Sequence, residues 1–163
     1  MTGYAQNPEL QDVWSEMSEN PFNEPLTTGN RYLDLFSDSV RFDENLPKNV
    51  AIEKSLHDLK LAFPFEIDGC ESVINYICDN NSLYIALMNA IVAASEIFPQ
   101  SIRVLSLYKD PEIDDEYLLL NIGLNTYPED LFDKMDLLYP KYSSYMDDIK
   151  SGWLTVTTLL LPI

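Results

Sequence analysis

The stretch that decides the fold is PQSIRVLSLYKDPEIDDEYLLLNIGL, residues 99–124. Its apolar residues recur at a period of about two, which is the period of a β-strand. The middle of the stretch, 110–115, is acidic and contains Pro111, a composition typical of a turn. Two strands joined by a short turn predict a β-hairpin, with the first strand around Val104 and the second over 117–122.

Before this hairpin, the apolar residues recur with the period of an α-helix. Apolar residues recur at helix spacing over 52–63 and stop at Pro64. A short second helix is predicted over 73–78, and a third over 82–98, where the sequence contains neither glycine nor proline. Because the third segment is apolar on nearly all sides, we expect that helix to be buried.

The chain after the hairpin predicts one more helix and one more strand. Pro128 and Glu129 suit the first turn of a helix, whose apolar face is supplied by Leu131, Met135 and Leu138. We expect Pro140 to interrupt this helix, and residues 153–160 to form a closing strand because they are β-branched and apolar. The predicted fold is therefore α+β in the order α-α-α-β-β-α-β, with N-terminal helices packed on a small, three-stranded, mainly antiparallel sheet.

Two regions follow from the composition along the chain. Residues 1–47 are acidic, rich in proline and asparagine, and contain no basic residue before Arg31. We interpret them as an N-terminal arm that packs on its own domain or docks on a partner. Residues 48–163 are predicted to form a single α+β domain.

The net charge excludes some function classes. Ten Lys and Arg stand against 27 Asp and Glu, which gives a formal charge of −17. Such a charge repels nucleic-acid backbones and anionic membranes, so it excludes unassisted direct binding to either. A hydrophobic fraction of 46% is enough for a buried core and excludes a disordered acidic tail as the whole chain.

The compartment is predicted from the termini and the cysteines. The first residues lack the basic and apolar regions of a signal peptide, and the apolar runs are too short to span a bilayer. Two cysteines, Cys70 and Cys78, are too few for a disulfide scaffold. We therefore expect a cytoplasmic protein.

No catalytic or metal-binding pattern stands out. The single histidine, His57, is expected on the exposed side of its helix, and Cys78 falls at a core position. The spacing of Cys and His residues matches no zinc motif, the acidic turn lacks the order of a calcium loop, and the five glycines are too scattered for a phosphate loop. We expect no enzyme activity, no metal and no cofactor. A hydrolase that uses a pair of carboxylates remains as a third hypothesis.

The C-terminal part of the chain resembles a set of small uncharacterised bacterial proteins. The resemblance is carried by Phe98-Pro99 before a strand, the turn 110–112, a second strand, Pro128-Glu129 at the start of a helix, and a closing strand. It implies an α-β-β-α-β arrangement and brings no known activity with it.

The negative charge is concentrated in the hairpin turn and the helix that follows. Residues 110–148 contain eleven acids against Lys134 and Lys141, with tyrosines interleaved. Aromatic residues inside a charged rim are typical of protein-binding surfaces. The predicted partner-binding residues are Asp114, Asp115, Glu116, Asp133, Asp136 and Tyr139.

These observations favour a non-enzymatic interaction protein that masks a basic surface of a partner protein, of the antitoxin, immunity or inhibitor kind. A nucleic-acid-binding enzyme is one such partner. The charge is also compatible with imitation of DNA phosphates, or with solubility alone. The main alternative is a structural or accessory subunit of a larger assembly, or a homo-oligomer, in which the strand 153–161 adds to a neighbour's sheet.

Overall fold

The computed structural model describes residues 46–112, 115–146 and 152–161. The predicted N-terminal arm, apart from Leu46 and Pro47, lies outside the described residues. Within the described part, four helices and four strands follow one another: α1 (Lys48–Ala62), β1 (Glu66–Ile67), α2 (Cys70–Asp79), α3 (Leu83–Ile97), β2 (Ile102–Lys109), β3 (Glu116–Leu124), α4 (Leu131–Ser143) and β4 (Leu154–Leu160).

The strands form one mixed sheet in the order β1-β2-β3-β4. The predicted hairpin is confirmed, since β2 and β3 pair antiparallel from Ile102↔Gly123 to Lys109↔Glu116. The predicted three-stranded, mainly antiparallel sheet is wrong in two respects. A two-residue strand, β1, pairs parallel with β2, and β4 pairs parallel with β3.

Both differences have a physical cause. β1 is too short to show a period in the sequence, and it pairs through Glu66↔Val104 and Ile67↔Leu105. β4 is parallel because α4 returns the chain to the starting end of β3, as a helical crossover does. The α+β class and the order of the long elements are confirmed.

One face of the sheet carries the core. Side chains alternate across each strand, and Leu105, Leu118, Leu120, Ile122 and Leu154 are almost fully buried on the face that the helices cover. The helix α3 lies at the centre and is buried along most of its length, as the sequence predicted. The opposite face is partly exposed, and there the rings of Tyr108 and Tyr117 stack across β2 and β3 with centroids 4.9 Å apart.

The helix α4 runs without a break through Pro140, so the predicted interruption is wrong. Proline removes the hydrogen bond to the carbonyl four residues earlier, which belongs to Asp136. Asp136 lies on the exposed side of the helix, where water can satisfy that carbonyl. The buried side chains of Leu138 and Tyr142 anchor this part of α4 on the core and offset the remaining cost of the proline.

A buried arginine closes one end of the core. Arg103 is 6% exposed. Its Nε donates to the carbonyl oxygen of Pro64 at 3.1 Å, and its Nη1 donates to that of Phe98 at 3.3 Å. Burial lowers the pKa of this guanidinium. The side chain joins the end of α3 to the segment before β1.

Candidate functional site

The exposed side of α4 carries three large apolar side chains. Phe132 is 81% exposed, Leu137 is 62% exposed and Tyr139 is 60% exposed. Asp133 and Asp136 are exposed beside them. We call these five residues the α4 face.

The spacing of the five residues explains how they share one surface. Phe132, Asp136 and Tyr139 are four and three residues apart, so they form one row along the helix. Asp133 and Leu137 are four residues apart and form a second row beside it. Each row therefore alternates a carboxylate with a large apolar or aromatic group.

The opposite side of α4 anchors the helix. Leu138 and Tyr142 are buried, and the helix packs on α3. The ring of Tyr139 meets that of Tyr142 edge to face, with centroids 5.6 Å apart and an interplanar angle of 77°. Burial, and then the neighbouring Tyr139, raise the pKa of Tyr142. This contact favours one position of the exposed Tyr139 ring.

Lys134 does not neutralise the carboxylates of the α4 face, because it pairs with another aspartate. Lys134 Nζ lies 3.0 Å from Asp130 Oδ1, one helical turn earlier. Because Lys134 is engaged there, it does not cover Asp133 or Asp136. Asp133 is in the first turn of α4, where the helix dipole favours a negative charge.

The acidic residues of the hairpin lie elsewhere. Asp115 is exposed, and its carbonyl oxygen accepts a hydrogen bond of 3.0 Å from the Asp110 backbone N–H. Glu116 is half-buried and forms an ion pair with Lys109 across the hairpin. The sixth predicted residue, Asp114, lies outside the described residues.

The predicted binding residues fall into two groups, one on α4 and one on the hairpin. Lys134 lines a cleft with Phe98 and Leu124, which places the start of α4 beside the carboxyl end of β3. Glu116 begins the same strand, and at a rise of about 3.3 Å per residue its eight steps span about 26 Å. The structure brings Asp133, Asp136 and Tyr139 together on α4, whereas Asp115 and Glu116 lie on the hairpin at the start of β3, at the opposite end of that strand from the start of α4.

Sequence reasoning missed Phe132 and Leu137. The apolar face predicted for this helix consists of Leu131, Met135 and Leu138 and does not include the other apolar residues. A helical projection shows that Phe132 and Leu137 fall outside that stripe, so the signal was present. Both residues extend the predicted binding set.

A second cleft contains the residues with possible nucleophilic chemistry. His57 and Cys70, both exposed, line a cleft of about 280 Å³ between α1 and α2, together with Glu53 and Lys60. Within the described part of the chain no hydrogen bond joins the His57 ring to the Cys70 thiol. Cys78 is half-buried against the core, and burial raises the pKa of its thiol.

Over residues 46–112, 115–146 and 152–161, no three His, Cys, Asp or Glu side chains are grouped so that they could hold a metal ion. No helix in these ranges is long and apolar enough to cross a membrane.

Comparison with known proteins returned no relative. No protein-family model, no curated protein and no solved structure matches the chain.

Proposed function

We propose that this protein is a non-enzymatic interaction protein that binds and masks a basic surface of a partner protein through the α4 face. The observation that carries the proposal is the exposure of Phe132, Leu137 and Tyr139 among carboxylates on one well-anchored helix. Large exposed apolar groups are costly in water unless a partner covers them. The carboxylates between them select a partner with Lys or Arg side chains at the matching positions.

The two kinds of group have different tasks in this interaction. Aromatic side chains that enter pockets of a partner supply most of the binding energy, because they lose a large apolar area to water at a low entropy cost. The aspartates accelerate the encounter with a positive surface and orient it. The net charge of −17 adds a long-range attraction, which salt weakens.

The partner class follows from this charge. A protein that masks positive surfaces suits targets whose active faces are basic, and nucleic-acid-binding enzymes are such targets. The antitoxin, immunity and inhibitor classes share this mode of action. A cytoplasmic location remains part of the proposal.

The experiment is a capture from native lysate with the full chain immobilised at low salt, followed by elution with a salt gradient. One variant, Asp133→Lys with Asp136→Lys, reverses the charge of the α4 face. A matched control, Glu53→Lys with Asp58→Lys, makes the same change in net charge on the exposed side of α1. A third variant, Phe132→Ser with Tyr139→Ser, removes the aromatic anchors and keeps the charge.

The proposal predicts one basic protein that is retained by the wild type and by the α1 control. The charge variant and the aromatic variant both lose it, and the wild-type complex elutes sharply with salt. Equal retention by all four proteins would show that the α4 face is not the interface. Repeated captures without a specific basic protein would leave the charge as a determinant of solubility.

A further inference from the structure

Among the strands of the described residues, β4 forms one edge of the sheet, and its sequence carries none of the features that usually protect an edge. Natural edge strands carry charges, prolines or bulges that prevent pairing with another chain. Leu154–Leu160 contains no charged residue and no proline, and its register with β3 is continuous from Leu118↔Leu154 to Leu124↔Leu160. In a chain with 23% charged residues, a seven-residue edge without any charge is distinctive.

Two hydrogen bonds show which backbone groups of β4 face outward. The Leu118 N–H donates to the carbonyl oxygen of Trp153 at 2.9 Å, and the Leu161 N–H donates to that of Leu124 at 2.8 Å. The N–H and C=O of any one residue in a strand point to the same side, and those of the next residue point to the opposite side. The odd-numbered residues of β4 therefore bond to β3, and the even-numbered residues direct their N–H and C=O groups to the outer edge. These outward residues are Leu154, Val156, Thr158 and Leu160.

We propose that a second copy of this chain pairs with β4 in antiparallel orientation, about a two-fold axis that passes through Thr157. Thr157 is the midpoint of the strand, so this register uses its full length. Leu154 then faces Leu160 of the second copy and Val156 faces its Thr158. Each such pair exchanges two hydrogen bonds, so the four symmetric pairs form about eight. The two sheets become one sheet of eight strands.

The charge distribution favours a second copy at this edge. Two copies, each with a charge of −17, repel each other wherever acidic surfaces meet. In the proposed register every opposed pair on the outer face is neutral: Thr157 with Thr157, Thr155 with Leu159, and Trp153 with Leu161. The edge is therefore a place where identical chains meet without bringing like charges together.

The exposed apolar groups at this edge support the same arrangement. Trp153 is 59% exposed, Leu159 is 53% exposed and Leu160 is 48% exposed. Pairing through β4 brings each of them against the second copy and removes apolar area from water. The dimer uses β4 and the proposed partner surface uses α4, so either proposal can fail without the other.

The test is sedimentation velocity of the full chain over a range of concentrations, at low and at high salt. We expect a monomer–dimer equilibrium that strengthens with salt, because salt screens the repulsion between the two acidic chains. Thr157→Lys places two lysines directly opposite each other at the axis and should raise the dimer dissociation constant at least about tenfold. The control is Asn121→Lys, since Asn121 is the β3 neighbour of Thr157 on the same face but lies away from the edge. It should leave the dimer intact.

A covalent test checks the register itself. In Thr157→Cys, with Cys70→Ser and Cys78→Ser, the two introduced thiols face each other at a separation that suits a disulfide. Mild oxidation should give a covalent dimer, whereas Asn121→Cys in the same background should stay monomeric. A chain that remains monomeric at all concentrations, a Thr157→Lys dimer as strong as the wild type, or equal loss of the dimer in Asn121→Lys would each overturn the proposal.

Discussion

The hydroxyl of Tyr76 on α2 donates a hydrogen bond of 2.8 Å to the backbone carbonyl oxygen of Glu116 at the start of β3. The hydroxyl oxygen of Tyr76 in turn accepts a hydrogen bond of 3.1 Å from the backbone N–H of Trp153, just before β4. One side chain therefore joins a helix to two neighbouring strands that are distant in sequence. Burial raises the pKa of this hydroxyl.

Tyr76→Phe should destabilise the fold. The change removes the partner of two backbone groups and leaves the ring in place, so we expect a loss of about 1–2 kcal/mol in the free energy of unfolding. Urea denaturation followed by circular dichroism measures it. Tyr127→Phe removes a hydroxyl from a residue that is 50% exposed and is the matched control. Equal stability of the two variants would contradict this role for Tyr76.

Gly152→Ala should be more harmful than Gly69→Ala. Both glycines have positive φ, 83° and 67° respectively, which a side chain disfavours by about 1 kcal/mol. A Cβ at Gly152 would also lie 2.7 Å from Leu83 Cδ1 and 2.8 Å from Asn80 Cγ, whereas a Cβ at Gly69 meets nothing within 4 Å.

Denaturant titration of the two alanine variants separates the clash from the backbone strain. We expect Gly69→Ala to cost about 1 kcal/mol and Gly152→Ala to cost at least about 2 kcal/mol. Similar losses would show that the segment before β4 moves to accommodate the methyl group.

Stability should fall at high pH through Tyr84. This residue is 1% exposed, its hydroxyl donates to Ser55 Oγ at 2.6 Å, and burial raises its pKa from 10.0 to about 12. Between these values the unfolded chain loses the proton and the folded chain keeps it. Unfolding is therefore favoured as pH rises, by about 1.4 kcal/mol per pH unit at most.

The pH dependence of stability in the wild type should be compared with that of Tyr84→Phe. The variant loses the hydrogen bond to Ser55 but also loses the titrating group, so its stability should depend less steeply on pH between pH 10 and 12. Urea denaturation at several pH values measures both slopes. Identical slopes would mean that Tyr84 titrates alike in the folded and unfolded chains.

The sequence was sufficient for elements whose signal is local. The hairpin of β2 and β3 follows from alternation over a few residues and an acidic turn that contains Pro111. The buried helix α3 follows from a continuous apolar composition. In both cases the residues that form the element also carry the signal.

Other features depend on contacts between distant parts of the chain. β1 has two residues and exists because Val104 and Leu105 offer a free strand edge. The parallel direction of β4 depends on where α4 ends. Pro140 suggested a break because it lacks the N–H that would bond to the Asp136 carbonyl, yet α4 continues through it on the exposed side of the helix.

The candidate site was predicted in part. The concentration of acids with interleaved tyrosines over 110–148 predicted six binding residues, and the structure places three of them, Asp133, Asp136 and Tyr139, on the exposed side of α4. Composition along the chain contains no information on three-dimensional distance, so Asp115 and Glu116 of the hairpin were grouped with residues of α4, a separate element. Whether the α4 residues bind a partner remains a prediction.

The most direct measurement is photo-crosslinking in cells from a benzoyl-phenylalanine placed at Phe132, the most exposed apolar residue of the α4 face. The matched control carries the same group at Leu61 on α1, which is 73% exposed. We expect a discrete adduct with one basic protein from position 132 and none from position 61. The adduct should disappear when Asp133→Lys and Asp136→Lys are added. No adduct from position 132, or the same adducts from both positions, would contradict the proposed role of the α4 face.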